Sequence, residues 1–147
     1  MVNQISVAGL KLSQVTTTEF IEEVKLALHE DSEKLFITTP NSEFLHAGLK
    51  DEEVMSLLSK ADLAIPDGIG IFWAERFLSL PLSFQSKLLK TLQALWQVVI
   101  TGAKILLQPN NLYQVLPEKI TGSNVIFDLA KLCQQENKSL YLLGNWG

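Results

Sequence analysis

Residues 61–74 read Ala61-Asp62-Leu63-Ala64-Ile65-Pro66-Asp67-Gly68-Ile69-Gly70-Ile71-Phe72-Trp73-Ala74. The first five residues form an apolar run that predicts a short strand at 61–65, and Pro66 stops it because proline cannot supply a ladder donor. Two glycines then bracket a turn, and large apolar residues at 71–78 predict a helix. A strand, a glycine turn and a helix in this order are typical of α/β folds.

The flanking residues continue the alternation of strands and helices. Thr16 and Glu19 have the spacing of a capping box, which predicts an amphipathic helix over 16–30. A short strand follows at 34–39, and Asn41 or Ser42 can cap a helix that runs to about residue 49. We predict a further helix from about residue 51, a helix capped by Ser123, and a last strand at 139–143.

These elements predict a Rossmann-like, mostly parallel sheet with flanking helices. In such a sheet, ligands bind beyond the carboxyl ends of the strands. The predicted strands end at residues 39, 65 and 143. We therefore expect the loops that carry Asn41, Asp67 and Gly144 to converge on one edge and to form a site.

Composition sets limits on the class of protein. The chain has 147 residues, of which 47% are hydrophobic, so it can form one domain with an ordinary core. A net charge of −4 argues against a surface that coats nucleic acid. The single cysteine, Cys133, cannot form an internal disulfide, and no signal-peptide pattern opens the sequence. We therefore expect a cytoplasmic protein.

Residues 87–107 are unusually apolar. Lys90, Gln93, Gln97 and Lys104 interrupt the run, and a spanning helix tolerates charge poorly near its centre. The pattern fits a helix at a membrane interface. A buried or partner-packing helix is an equally good interpretation.

Several polar residues are candidates for chemistry, each with a structural alternative. Asp67 can act as a general base, or it can cap the helix that follows it. Thr39 and Asn41 can bind a ligand or shape the turn at Pro40. The segment Thr121-Gly122-Ser123 can present free amides to a phosphate, as many helix starts do. His29 and His46 have no His, Cys or carboxylate at metal-ligand spacing, which argues against a zinc site, and no Asp-x-Asp occurs.

Three blocks of sequence occur together in a characteristic order. They are Thr39-Pro40-Asn41-Ser42-Glu43, the 61–74 segment quoted above, and Leu116-Pro117-Glu118-Lys119-Ile120-Thr121-Gly122-Ser123. In this order the chain resembles the WecG/TagA/CpsF glycosyltransferases, over roughly residues 1–78 and 110–147. The middle block, with Pro-Asp-Gly-x-Gly followed by Trp-Ala, is the most specific.

The resemblance implies an inverting transfer of N-acetylmannosamine or a related amino sugar. The donor would be a UDP-sugar, the acceptor a polyprenyl-diphosphate-linked sugar at the inner face of the membrane, and no metal cofactor is implied. The resemblance is also compatible with a homo-oligomer of this chain. By resemblance Asp67 matches the general base, with Thr39 beside it as a second catalytic residue. The implied donor-binding residues are Asn41, Gly68, Gly70, Lys119, Thr121, Gly122 and Gly144.

The chain departs from the family pattern in three places. Lys119 stands where the family usually has arginine, and lysine cannot make a bidentate clamp on phosphate. Residues 79–115 read as an insertion within a single glycosyltransferase domain. The sequence also stops after the last predicted strand, so we expect residues 1–147 to be the N-terminal part of that domain. An inactive half-domain that binds a sugar nucleotide or a partner is the alternative.

Overall fold

The computed structural model describes residues 2–29, 34–107 and 116–144. These residues form a mixed α/β structure with six helices and two small sheets. In chain order the elements are β1 (Gln4–Val7), β2 (Leu10–Ser13), α1 (Thr17–His29), β3 (Ile37–Thr38), α2 (Ser42–Lys50), α3 (Glu52–Leu58), β4 (Leu63–Ala64), α4 (Ile69–Leu78), α5 (Lys87–Leu107) and α6 (Gly122–Gln135).

Strands β1 and β2 form an antiparallel hairpin that the sequence analysis did not predict. Its two-residue turn consists of Ala8 and Gly9, whose φ angles are both positive, at 49° and 90°. Such turns match the twist of the strands they join. The hairpin lies beside β4, where the N–H of Ala64 donates to the buried Ser13 hydroxyl over 3.1 Å.

Local signals placed the starts of α1 and α3 well. The backbone N–H of Thr16 donates to Glu19 Oε2 over 2.8 Å, and the N–H of Glu19 donates to Thr16 Oγ1 over 3.3 Å. This reciprocal pair is the predicted capping box, and these hydrogen bonds hold the pKa of Glu19 below its usual value. Asp51 caps α3 in a similar way, by accepting from the N–H of Glu53.

Strands β3 and β4 form a parallel pair, with Ile37 opposite Leu63 and Thr38 opposite Ala64. Regular strand structure covers only two residues of each, fewer than the sequence predicts. The hydrogen bonding nevertheless continues past Thr38, whose carbonyl accepts from the N–H of Ile65 over 2.8 Å. This pair is the only parallel one in the described residues, so the larger parallel sheet was not found there.

The β4 segment is buried on both faces, as parallel strands covered by helices are. Leu63 and Ile65 belong to a core cluster that includes Phe20 of α1 and Leu132 of α6. Ala64, between them, belongs to a second cluster formed with the hairpin and with α2, α3 and α4. The alternation of side chains along a strand explains why neighbouring residues enter different clusters.

The predicted strand at 139–143 was wrong, since these residues are described and form no strand. Asn137 turns the chain after α6 with a φ of 52°. Leu140 to Leu143 are then exposed, Leu143 by 88%. An apolar run predicts only that a segment suits a sheet, whereas a strand also needs a neighbouring strand that offers free ladder groups.

A helix occupies residues 87–107, as the sequence predicts. It lies against α4, where the indole N–H of Trp73 donates to Thr101 Oγ1 over 2.9 Å. Among the described residues, no helix has both the length and the apolar character needed to span a membrane.

Candidate active site

The parallel pairing of β3 and β4 brings the loops after the two strands together. The N–H of Asp67 donates to the carbonyl of Pro40 over 2.9 Å, one step beyond the bond between Ile65 and Thr38. Because both strands run in the same direction, both loops leave the same sheet edge, where α/β proteins bind ligands. The structure thus confirms that the loops holding Asn41 and Asp67 converge.

Asp67 does not cap α4. The N-cap residue is Gly68, which has no side chain that could bond the first amides of this helix. Within the described part of the chain, no hydrogen bond or ion pair engages the Asp67 carboxylate. The side chain is partly exposed at the carboxyl end of β4. The capping alternative is therefore wrong for Asp67, and its carboxylate remains available to a ligand.

A third segment, the start of α6, meets Asp67 and Thr39. A Cβ atom added to Gly122 would lie 3.6 Å from Thr39 Oγ1 and 3.8 Å from Asp67 Oδ2. These are ordinary van der Waals distances. The gap between the Gly122 backbone and the two polar side chains is therefore wide enough for one methyl group. Three predicted site residues from distant parts of the sequence therefore surround one small space.

The amino terminus of α6 adds partial positive charge to this space. The helix begins at Gly122, and its N-cap residue is Thr121 rather than the predicted Ser123. The Thr121 side chain makes no capping hydrogen bond. A helix of 14 residues with an uncapped start presents unbonded amides and the positive end of its dipole, which suit a phosphate.

Asn41, Gly68 and Gly70 have clear structural roles. Asn41 Oδ1 accepts from the N–H of Glu43 and of Phe44 over 2.9 and 3.0 Å, so this oxygen caps α2. Gly68 has a φ of 84° and a ψ of 149°, a conformation nearly confined to glycine. A Cβ on Gly70 would lie 3.0 Å from Ser42 Cβ, so its small size lets the starts of α2 and α4 approach closely.

Two predicted donor-binding residues, Lys119 and Gly144, make no contact with this space among the described residues. Lys119 is exposed, while its neighbour Glu118 ties this segment to the start of α1 by accepting from the N–H and the hydroxyl of Thr17 over 2.8 and 2.9 Å. Gly144 is exposed, and a Cβ added to it would meet nothing within 4 Å. Their roles in donor binding stay predictions.

Thr38 is a polar residue that the sequence analysis missed. Its hydroxyl is buried and, within the described part of the chain, has no hydrogen-bond partner. A buried hydroxyl without a partner lowers the stability of the fold by about 1–3 kcal/mol. The sequence offers no specific signal for it, because threonine in a strand is ordinarily a packing residue.

The described residues contain no group of three or more His, Cys, Asp or Glu side chains placed to hold a metal ion. The absence of a metal cofactor stays a prediction from the sequence.

Comparison with known families assigns the chain to a class of enzyme. Residues 5–97, more than half of the chain, match the profile of the glycosyl transferase WecG/TagA/CpsF family. The chain therefore belongs to the WecG/TagA/CpsF family of glycosyltransferases. This family implies a sugar-nucleotide donor and a lipid-linked acceptor in general terms. No curated protein matches the chain.

The matched region contains Thr39 and Asp67 and ends inside α5. It thus includes residues 79–97, which the sequence analysis assigned to an insertion. The segment that begins α6 lies outside the match, so its part in the site rests on the geometry around Gly122.

Proposed function

We propose that this chain is an inverting transferase of N-acetylmannosamine or a related amino sugar, which it moves from a UDP donor to a polyprenyl-diphosphate-linked sugar. Membership of the family supports glycosyl transfer. The observation that carries the proposed mechanism is the unengaged carboxylate of Asp67, which faces Thr39 and Gly122 at the carboxyl end of β4. Since the donor is a nucleotide sugar, we place the reaction on the cytoplasmic side of the membrane.

In the proposed reaction, Asp67 removes the proton from the acceptor hydroxyl. The acceptor oxygen forms a bond to the anomeric carbon while the bond from that carbon to the UDP oxygen breaks, and the electron pair leaves on the diphosphate. Attack on the face opposite UDP inverts the anomeric configuration. A positioned base contributes about a hundredfold to ten-thousandfold when it lies within hydrogen-bond range of the hydroxyl.

Other residues at or near this space would bind the donor. The uncapped amides at Thr121 and Gly122 suit the diphosphate, and the Thr39 hydroxyl can donate to an oxygen of the donor. Lys119, two residues before the N-cap, would add a single positive charge. Asn41 would contribute through its amide NH₂, because its oxygen caps α2.

The test measures UDP release from UDP-N-acetylmannosamine with a short-chain lipid-diphosphate-N-acetylglucosamine acceptor. Asp67→Asn should lower kcat by about a hundredfold or more and leave UDP affinity nearly unchanged, because the amide keeps the shape but cannot accept the proton. Asp128→Asn is the matched control, since it makes the same change at a partly exposed carboxylate on α6 whose ion-pair partner is Lys131. This control should retain full activity.

Full activity in Asp67→Asn would refute Asp67 as the base. UDP binding without turnover of any sugar donor would instead support the alternative, a half-domain that binds a sugar nucleotide without catalysis.

A further inference from the structure

The orientation of α5 is the reverse of what an amphipathic surface helix normally shows. Its polar stripe, Gln93, Gln97 and Thr101, faces the rest of the protein at a spacing of four residues. The side-chain amides of Gln93 and Gln97 both donate to the carbonyl of Pro81, over 3.1 and 3.0 Å. Thr101 is 4% exposed and accepts from Trp73. These polar contacts, together with Ile105, which packs against the core cluster of the hairpin, α2, α3 and α4, fix which face of α5 turns inward.

The opposite face of α5 is apolar and open to solvent. It carries residues at positions i, i+4, i+7, i+8 and i+11, which lie on one side of a helix. We call this set the outward stripe: Leu88, Leu92, Leu95, Trp96 and Val99, which are between 54% and 70% exposed.

Exposure of the outward stripe to water is energetically unfavourable. A helix on a protein surface usually turns its apolar face to the core and its polar face to water. Contiguous exposed apolar surface marks a place where a protein meets another apolar surface. Leu82 and Phe84, just before α5, are each 48% exposed and enlarge the apolar region.

Charge identifies the surface that this region fits. All 16 acidic residues of the chain lie outside residues 76–117, a segment that carries Arg76, Lys87, Lys90 and Lys104. The rest of the chain is therefore acidic, while this segment is purely basic. Anionic lipid headgroups attract such a segment and repel carboxylates. Lys90 and Lys104 lie three residues from Gln93 and Thr101, on the side of α5 that carries the polar stripe, which is where interfacial helices carry their basic residues.

We propose that α5 lies along an anionic lipid surface, with the outward stripe in the boundary between headgroups and acyl chains. The helix has 21 residues and is therefore about 31 Å long. It lies on the surface, since no helix in the described residues is built to span a bilayer. Apolar insertion on one face together with basic residues is the pattern of interfacial helices.

This docking surface is connected to the candidate active site through α4. Asp67 comes two residues before α4 begins, and Trp73 of the same helix bonds Thr101 of α5. Docking through α5 would hold Asp67 close to the membrane. The inference concerns lipid binding alone and does not depend on the proposed transfer reaction.

The test is flotation of the full chain with vesicles of phosphatidylcholine, with and without phosphatidylglycerol. We expect binding to the mixed vesicles and much weaker binding to phosphatidylcholine alone. The combined variant Leu92→Gln, Trp96→Gln and Val99→Gln should lower binding at least about a hundredfold, because it removes three inserted apolar side chains. Trp96→Gln alone should lower it about tenfold, so the test holds even if the triple variant loses helicity.

A matched control makes the same kind of change elsewhere. Leu26, Leu49 and Leu57 lie on α1, α2 and α3 and are 59%, 61% and 56% exposed, close to the values on the outward stripe. Their combined replacement by glutamine should leave vesicle binding unchanged. Replacing Lys87, Lys90 and Lys104 by glutamine should weaken binding only to the anionic vesicles, by roughly fivefold for each lysine near the headgroups.

Several results would overturn the inference. One is a folded chain that does not float with anionic vesicles, and another is a triple α5 variant that floats as well as the unaltered chain. A dimer that the α5 variant converts to a monomer, with flotation unchanged, would make the outward stripe an interface between copies instead. Asp67→Asn should float normally, so a failure of the transferase proposal can be told apart from a failure of this one.

Discussion

Replacing Gly122 by alanine should separate the stability of the fold from the function of the site. The added methyl group would lie 3.6 Å from Thr39 Oγ1 and 3.8 Å from Asp67 Oδ2, both ordinary contact distances. The fold can therefore accept the methyl group without moving either side chain. The space that it fills is the one in which the acceptor hydroxyl and the donor would have to meet.

The expected effects have opposite signs for stability and activity. Alanine loses less backbone entropy than glycine on folding, so the free energy of unfolding should stay the same or rise by up to about 1 kcal/mol. A hydroxyl must come within about 3 Å of Asp67 to lose its proton, and a displacement of about 1 Å can cost a hundredfold. We therefore expect kcat/KM of Gly122→Ala to fall by about a hundredfold or more.

Gly102→Ala is the control, because a Cβ at this position in α5 would meet nothing within 4 Å. It should gain about 1 kcal/mol of stability from helix propensity and keep full activity. Urea unfolding and the UDP-release assay would be run on both variants. Unchanged kcat/KM in a folded Gly122→Ala variant would refute the placement of the reaction between Thr39, Asp67 and Gly122.

Three further predictions concern individual residues around the fold. Gly68→Ala should lower the free energy of unfolding by about 1–3 kcal/mol in urea titrations, because the φ of 84° is strained for any side chain. Thr38→Val should keep stability or raise it by about 1 kcal/mol, since the buried hydroxyl has no partner among the described residues; a loss larger than this would mean that the hydroxyl is bonded. Glu136 lies 2.9 Å from both Lys25 and His29, and the hydrogen bond from Lys25 is the main cause of its lowered pKa. Because the folded pKa lies below the ordinary value of 4.5, the stabilisation is complete above pH 4.5 and is lost as the pH falls through the folded pKa. Glu136→Gln should therefore lower the melting temperature at pH 7 and have little effect in strong acid, and an equal effect at both pH values would contradict this.

Elements with a local cause were predictable from the sequence. The capping box of Thr16 and Glu19 and the cap at Asn41 each depend on residues a few positions apart, and the structure contains both. The hairpin was not predicted, although it has a local signal, since Ala8-Gly9 separates two short alternating apolar runs. The predicted strand at 139–143 failed because pairing depends on a distant partner.

The sequence by itself determined the class of enzyme and the two loops that form half of the candidate site. Its motif blocks, with the family match over residues 5–97, are properties of order and spacing that need no coordinates. Only the tertiary structure showed that Asp67 does not cap α4 and that it faces Gly122, which lies 55 positions away in the chain. Only it showed that α5 turns its polar stripe inward and its apolar stripe outward. The physical reason is that the periodicity of a helix defines its faces, whereas the bonds to its neighbours decide which face is covered.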